Sequence, residues 1–255
     1  MILDLLTLLT GSIAIFLVRN PAGFRLAVFV GILLAILCWY GCYTYTRLWN
    51  KRFRVRVIHH VFCALAALIT LVFSVLYPAL AHVREAGEAS IAVWESTINH
   101  DSLWAASTFR KAYQAVRNLG IEDFKGVPEP GAARSWIPTS HDESRQTAAS
   151  VYASSACNHF ARSRPFLSKI IWARPGIPAD VVFADVRQWH RTNPNYPPER
   201  AIGLAVEHIR AGLIAQVPRI VSLSRILTIA LFLLAQAVPF GLVGWAAYRD
   251  IIVRA

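Results

Sequence analysis

Four apolar runs divide the sequence and leave one long polar stretch between the third and the fourth. The runs cover residues 1–18, 26–45, 57–81 and 226–248. A helix rises about 1.5 Å per residue, so about 20 residues cross the roughly 30 Å hydrocarbon core of a bilayer. The first run is the weakest because it is short and contains Asp4 and Gly11. It lacks the basic start and the cleavage pattern of a signal peptide. The sequence therefore predicts an all-α membrane protein with four spans.

Basic residues beside the runs predict the orientation in the membrane. The loop 47–56 contains no acidic residue and five basic ones, which are Arg47, Lys51, Arg52, Arg54 and Arg56. Such loops stay in the cytoplasm and are attracted to anionic lipid. Counting four spans from this loop places both termini in the cytoplasm and the polar stretch outside. If the first run does not span, the N-terminus lies outside and the polar stretch keeps its side. Together with the arginine-rich, lysine-poor composition, this predicts a multi-pass protein of a bacterial inner membrane, with the lipid bilayer as one partner.

The net charge of +11 belongs mostly to the flanks of the spans. The polar stretch itself carries 16 Lys and Arg against 13 Asp and Glu. A nucleic-acid-binding protein would instead concentrate basic charge on its soluble part. We therefore expect no nucleic-acid partner.

The polar stretch is long enough to bury a core of its own, and its apolar residues recur at helical spacing. We expect residues 1–82 to form a three-span region and residues 83–219 an extracytoplasmic helical domain. Residues 220–255 would form the fourth span and a short cytoplasmic tail. Asp101 is expected to cap a helix, and Ser140 and Glu143 to form a capping box. We expect a helix over residues 199–217 that leads through Pro218 almost directly into the fourth span, so that this junction is stiff.

Few side chains in this domain suggest chemistry. Cys157 and His159 lie two residues apart, so on a helix they point to different faces. Spans other than the third contain no histidine to pair with His59, His60 or His82 across a haem. His141, Asp142 and Glu143 lack the spacing of a metal-binding helix. We therefore predict no catalytic residue, no cofactor and no metal site.

The tryptophans of the domain are the candidates for partner binding, because tryptophan is enriched at interface hot spots. Most should belong to the core. We expect one or two of them to be exposed anchors, Trp136 in its loop above all. The candidates are Trp94, Trp136, Trp172 and Trp189.

The end of the chain, Pro239 to Ile251 (PFGLVGWAAYRDI), resembles the span end of membrane proteins encoded in integrating conjugative elements. Those proteins also have an extracytoplasmic helical domain followed by an apolar helix and a basic cytoplasmic exit. This chain departs from them in having three apolar runs before its domain. The resemblance implies a role in a conjugation or secretion apparatus.

These observations predict a non-enzymatic component of an envelope complex, which binds membrane or periplasmic proteins through its helical domain. A secretion or transfer complex is the expected setting, and a homo-oligomer is left open. One alternative is a small-molecule transporter or channel subunit, although ionisable residues are lacking deep in the spans. The other is a membrane enzyme that uses the periplasmic domain, which would require Cys157 or His141 in a pocket.

Overall fold

The computed structural model describes residues 2–49, 56–120, 137–138, 141–171 and 176–254. Its α-helices are α1 Ile2–Arg19, α2 Pro21–Trp49, α3 Val57–Ala79, α4 Val83–His100, α5 Ser102–Arg117, α6 Asp142–Ser163, α7 Pro165–Ile171, α8 Ala179–Trp189 and α9 Pro198–Arg254. A 3-10 turn, Leu80–His82, joins α3 to α4. No strand occurs in the described residues, so the all-α prediction is confirmed.

Three helices are long and apolar enough to cross a membrane. These segments are Pro21–Leu48, Val57–His100 and Pro198–Asp250. They contain the second, third and fourth predicted runs and are compatible with a multi-pass membrane protein. The first run forms α1 and is not among the three, so a fourth span stays a prediction.

The chain divides into two units. The helical unit comprises the residues up to Thr7 and residues 87–216, and the membrane unit comprises residues 8–86 and those from 217 onward. The sequence did not predict that the start of α1 would belong with the polar domain. Asp4 explains it, because its buried carboxylate accepts the backbone N–H groups of Phe166 at 3.0 Å and Leu167 at 3.3 Å.

The sequence predicts side-chain caps at two helix starts of the helical unit, those of α5 and α6. The Asp101 carboxylate accepts the backbone N–H groups of Leu103 at 3.0 Å and Trp104 at 2.9 Å, which confirms its predicted cap of α5. The first residue of α6 is Asp142, and its N-cap is His141, whose side chain makes no capping hydrogen bond. The predicted box is therefore wrong about the capping position, and Ser140 lies outside the described residues.

Helix α9 runs unbroken from Pro198 to Arg254, through Pro218 and Pro239. The helix predicted over residues 199–217 and the fourth run are therefore parts of one helix that continues through Pro218. A proline removes one backbone N–H donor, and a helix survives this loss when the turns on both sides stay hydrogen-bonded.

A polar side chain joins two helices of the membrane unit. Gln236 of α9 donates from Nε2 to the carbonyl oxygen of Ala66 at 2.9 Å and to Oγ1 of Thr70 at 2.9 Å. Beside it, Cys42, Cys63, Ala66 and Val243 form a small buried cluster. Small residues permit close helix contact, and an interhelical hydrogen bond satisfies an amide that would be costly in hydrocarbon.

Candidate functional site

His159 of α6 is the centre of a polar arrangement within the helical unit. Its Nδ1 accepts a hydrogen bond of 2.9 Å from Nε1 of Trp94. Its Nε2 lies 3.6 Å from the carboxylate of Asp101, and its ring meets the indole of Trp104 edge-on at 6.2 Å. Since Nδ1 accepts, the neutral ring carries its proton on Nε2, toward Asp101. Asp101 thus caps α5 and orients the imidazole of α6.

Helices α5 and α6 run antiparallel beside each other. Trp104 contacts His159 near the start of α5, and one turn later Thr108 shares a hydrogen bond of 2.9 Å with Ser155. Residue numbers therefore rise along α5 as they fall along α6. This packing places side chains at helical spacing on α5 opposite a second stripe on α6.

A groove of about 380 Å³ lies between these two stripes. We call it the α5–α6 groove, and its lining residues are Trp104, Ser107, Lys111, Ser150, Val151, Ser154, Ser155, Asn158, His159 and Arg162. The lining holds two permanent cations, several hydroxyl groups, an amide and an indole, and no carboxylate. Lys111 and Arg162 are exposed, and neither forms an ion pair within the described part of the chain.

The cations stand at opposite ends of the α5–α6 groove. Measured from the Thr108–Ser155 hydrogen bond, Lys111 is three residues along α5 in one direction, and Arg162 is seven residues along α6 in the other. At about 1.5 Å per residue, their backbones are about 15 Å apart along the helix axes. The groove is therefore elongated and positive at both ends.

A second polar cluster fastens α8 to the start of α9. Asp185 accepts hydrogen bonds from the Tyr196 hydroxyl at 2.7 Å and from Arg200 at 2.5 and 3.2 Å. Burial and the Asp185 carboxylate raise the pKa of Tyr196 above its usual range, and the same carboxylate raises the pKa of Arg200. Both groups are thus held in their ordinary protonation states. This cluster stabilises the turn between the helices.

Cys157 faces the core and not the α5–α6 groove. The residue is fully buried, and burial raises the pKa of its thiol to about 12. A nucleophilic cysteine needs a lowered pKa and a nearby base. This thiol therefore stays protonated at neutral pH. His141 is exposed at the start of α6, and the neighbouring Asp142 pairs with Arg145 at 2.9 Å.

The predicted partner-binding tryptophans fall into three situations. Trp94 is only 2% exposed and belongs to the core, so it is not accessible to a partner in this fold. Trp189 is half-buried, donates to the carbonyl oxygen of Asn195 at 2.7 Å and lies under the guanidinium of Arg200. Trp136 and Trp172 lie outside the described residues.

Trp104 is the tryptophan that the prediction of anchors omitted, although it lines the α5–α6 groove. Periodicity alone places Trp94 and Trp104 alike on apolar helix faces. Polar neighbours distinguish Trp104, because Ser107 and Lys111 follow it at helical spacing on the same face of α5.

The basic loop between the second and third runs is only partly described. Arg47 and Arg56 are both exposed, and Arg47 lies over the ring of Tyr43 at 5.4 Å. Lys51, Arg52 and Arg54 lie outside the described residues.

Comparison with protein-family models, with curated proteins and with solved structures finds no match. The resemblance to membrane proteins of integrating conjugative elements therefore stays a prediction.

Proposed function

We propose that this protein is a non-enzymatic component of a membrane-embedded assembly and acts through protein contacts of its helical unit. The observation that carries the proposal is the continuity of α9, which supplies both a helix of the helical unit and a span. Helix α4 likewise begins in the membrane unit and continues into the helical unit. Short helical connections suit a part that holds partners in a fixed place better than a catalytic domain on a flexible linker.

The contacts of α1 support three spans instead of four. Near its start, Asp4 binds the first turn of α7, where Arg164 also lies 3.8 Å from the carboxylate. At its other end, Arg19 pairs with Glu85 at 3.1 Å. Glu85 and α7 both belong to the polar stretch that follows the third run. A helix whose two ends contact that stretch does not cross the bilayer.

The N-terminus then lies on the same side as the helical unit, and the C-terminus lies on the other. This revises the expectation that both termini are cytoplasmic. The basic loop 47–56 keeps its cytoplasmic place, because it still separates two spans. In a bacterial inner membrane, the helical unit and the N-terminus would both be periplasmic.

Labelling of introduced cysteines tests this topology. We would replace Leu3, which is 78% exposed, and Ile252, which is 59% exposed, one at a time by Cys in a chain without its native cysteines. In intact cells with a permeable outer membrane, an impermeant maleimide should label Leu3→Cys and should label Ile252→Cys only after lysis. Labelling of both sites only after lysis would restore the four-span arrangement.

Native purification in mild detergent tests the function. We expect other membrane or periplasmic proteins to co-purify in fixed proportion, giving a mass well above that of the 28.4 kDa chain. A secretion or transfer apparatus is the assembly that the resemblance of residues 239–251 suggests. A clean monomer or homo-oligomer without partners would overturn the assembly and favour a transporter.

A further inference from the structure

We propose that the α5–α6 groove binds an acidic peptide segment of a partner protein. This inference rests on the proposed function and names the chemistry of the partner. The charge, the length and the exposure of the groove support it.

The positive charge of the groove predicts an anionic ligand. Lys111 and Arg162 lie in the lining without a carboxylate among the other lining residues. Asp101, whose carboxylate lies 3.6 Å from Nε2 of His159, already accepts two backbone N–H groups. An anionic ligand would therefore find two cations that have no competing partner in the described part of the chain. Electrostatic complementarity of this kind mainly sets specificity and association rate.

Length favours a chain molecule over a small anion. The backbones of the two cations are about 15 Å apart along the helix axes. An extended peptide spans about 3.3 Å per residue, so four to five residues connect the two ends. A single carboxylate or phosphate occupies only part of a groove of this length, whereas a short peptide lies along all of it. Acidic side chains four or five residues apart contact both cations.

Exposure and lining chemistry also fit a peptide. Ser107, Asn158, Lys111 and Arg162 are all exposed, so a ligand in the groove keeps one side in water. Small-molecule sites usually enclose most of their ligand, whereas peptide grooves do not. The serine hydroxyls and the Asn158 amide supply donors and acceptors for a peptide backbone, and Trp104 supplies an aromatic surface.

Binding of a labelled peptide to the full chain in detergent tests the inference. The probe is a fluorescent hexapeptide with Glu at positions 1 and 5 and neutral residues between, and its partner probe has Gln at both positions. We expect fluorescence anisotropy to report binding of the Glu peptide, with an affinity at least about tenfold above that of the Gln peptide. Equal binding of the two peptides would overturn the proposal.

Charge-reversal variants locate the binding. The double variant Lys111→Glu with Arg162→Glu should lower the affinity for the Glu peptide by at least about tenfold. The matched control is Arg110→Glu with Lys169→Glu, which makes the same change in net charge at exposed positions outside the lining. All four side chains are exposed, so both variants should fold, and thermal melting checks this. Equal loss in the two variants would show binding through net charge alone and would overturn the site.

Three further outcomes complete the test, and the last two separate this inference from the proposed function. Competition by free glutarate at the same molar concentration as the peptide would overturn the peptide assignment and favour a small dianion. If partners co-purify equally with wild type and with the Lys111→Glu, Arg162→Glu variant, the assembly stands and the groove proposal fails. If no partner co-purifies but the Glu peptide binds as described, the groove proposal stands and the assembly fails.

Discussion

Replacement of Asp4 by Ala should destabilise the helical unit, although Asp4 lies in the first apolar run, far in sequence from the start of α7 that it contacts. Its carboxylate is buried and accepts two backbone N–H groups at the start of α7, with Arg164 nearby. A hydrogen bond to a charged group contributes about 1.5–3 kcal/mol, and loss of a helix cap costs about 0.5–2 kcal/mol. The two values are not added, because both describe the same interaction of the Asp4 carboxylate with the start of α7. We therefore expect Asp4→Ala to lower the free energy of unfolding by about 2–3 kcal/mol.

The control is Asp142→Ala. Asp142 also lies at a helix start and pairs with an arginine, but its side chain is 75% exposed. An exposed pair of this kind contributes less than about 1 kcal/mol. In detergent, thermal unfolding followed by circular dichroism should show a Tm about 5–10 °C lower for Asp4→Ala, at roughly 2–4 °C per kcal/mol. Asp142→Ala should change the Tm by only a few degrees.

Equal melting temperatures for Asp4→Ala and Asp142→Ala would refute the reasoning. In that case the carboxylate of Asp4 would not be bound to α7. An N-terminus on the side of the helical unit would then lack support, and α1 would be free to span.

Three further predictions concern single positions. Cys157→Ala should leave assembly intact, as co-purification would show. In a chain that keeps only this cysteine, the thiol should resist iodoacetamide until unfolding. Because its folded pKa is about 12 and its ordinary value is 9.0, the unfolded thiol ionises first, so stability falls as pH rises above about 9. Gln236→Leu removes two hydrogen bonds within the membrane unit and should lower the free energy of unfolding in SDS by about 1 kcal/mol. An unchanged midpoint of the SDS unfolding curve would contradict a stabilising role for these bonds. Gly31→Ala should destabilise the membrane unit, since its Cβ would collide with Ser74 Oγ, whereas Gly41→Ala has open space and should be neutral or mildly stabilising in the same assay.

Local signals account for much of the fold. Hydropathy and length identify the helices around residues 26–45, 57–81 and 226–248, because each of these runs alone is long enough to span. Asp101 was predictable as a cap because its position before a periodic run is a local pattern. The close junction of the helix over residues 199–217 with the fourth run was predictable, but a local rule for proline ends that helix at Val217, whereas the structure continues it through Pro218.

Most of the candidate site could not be predicted from the sequence. His159, Trp94 and Asp101 come from three helices, and only tertiary packing brings them together. The stripe of Ser154, Asn158 and Arg162 on α6 has the pattern of any solvated helix face. It becomes one wall of a groove only because α5 lies antiparallel to it, and no spacing within α6 encodes that neighbour.

Polar residues inside apolar runs were the signals that deserved more weight than average hydropathy. Burial of an unpaired polar group is costly, so each such residue must have a partner, and the partner shows where the residue lies. Gln236 finds a carbonyl and a hydroxyl on a neighbouring membrane helix, which is consistent with a place within the bilayer. Asp4 finds backbone N–H groups at the start of a helix in the polar stretch. These partners support the proposal that the apolar run which contains Asp4 is not a span.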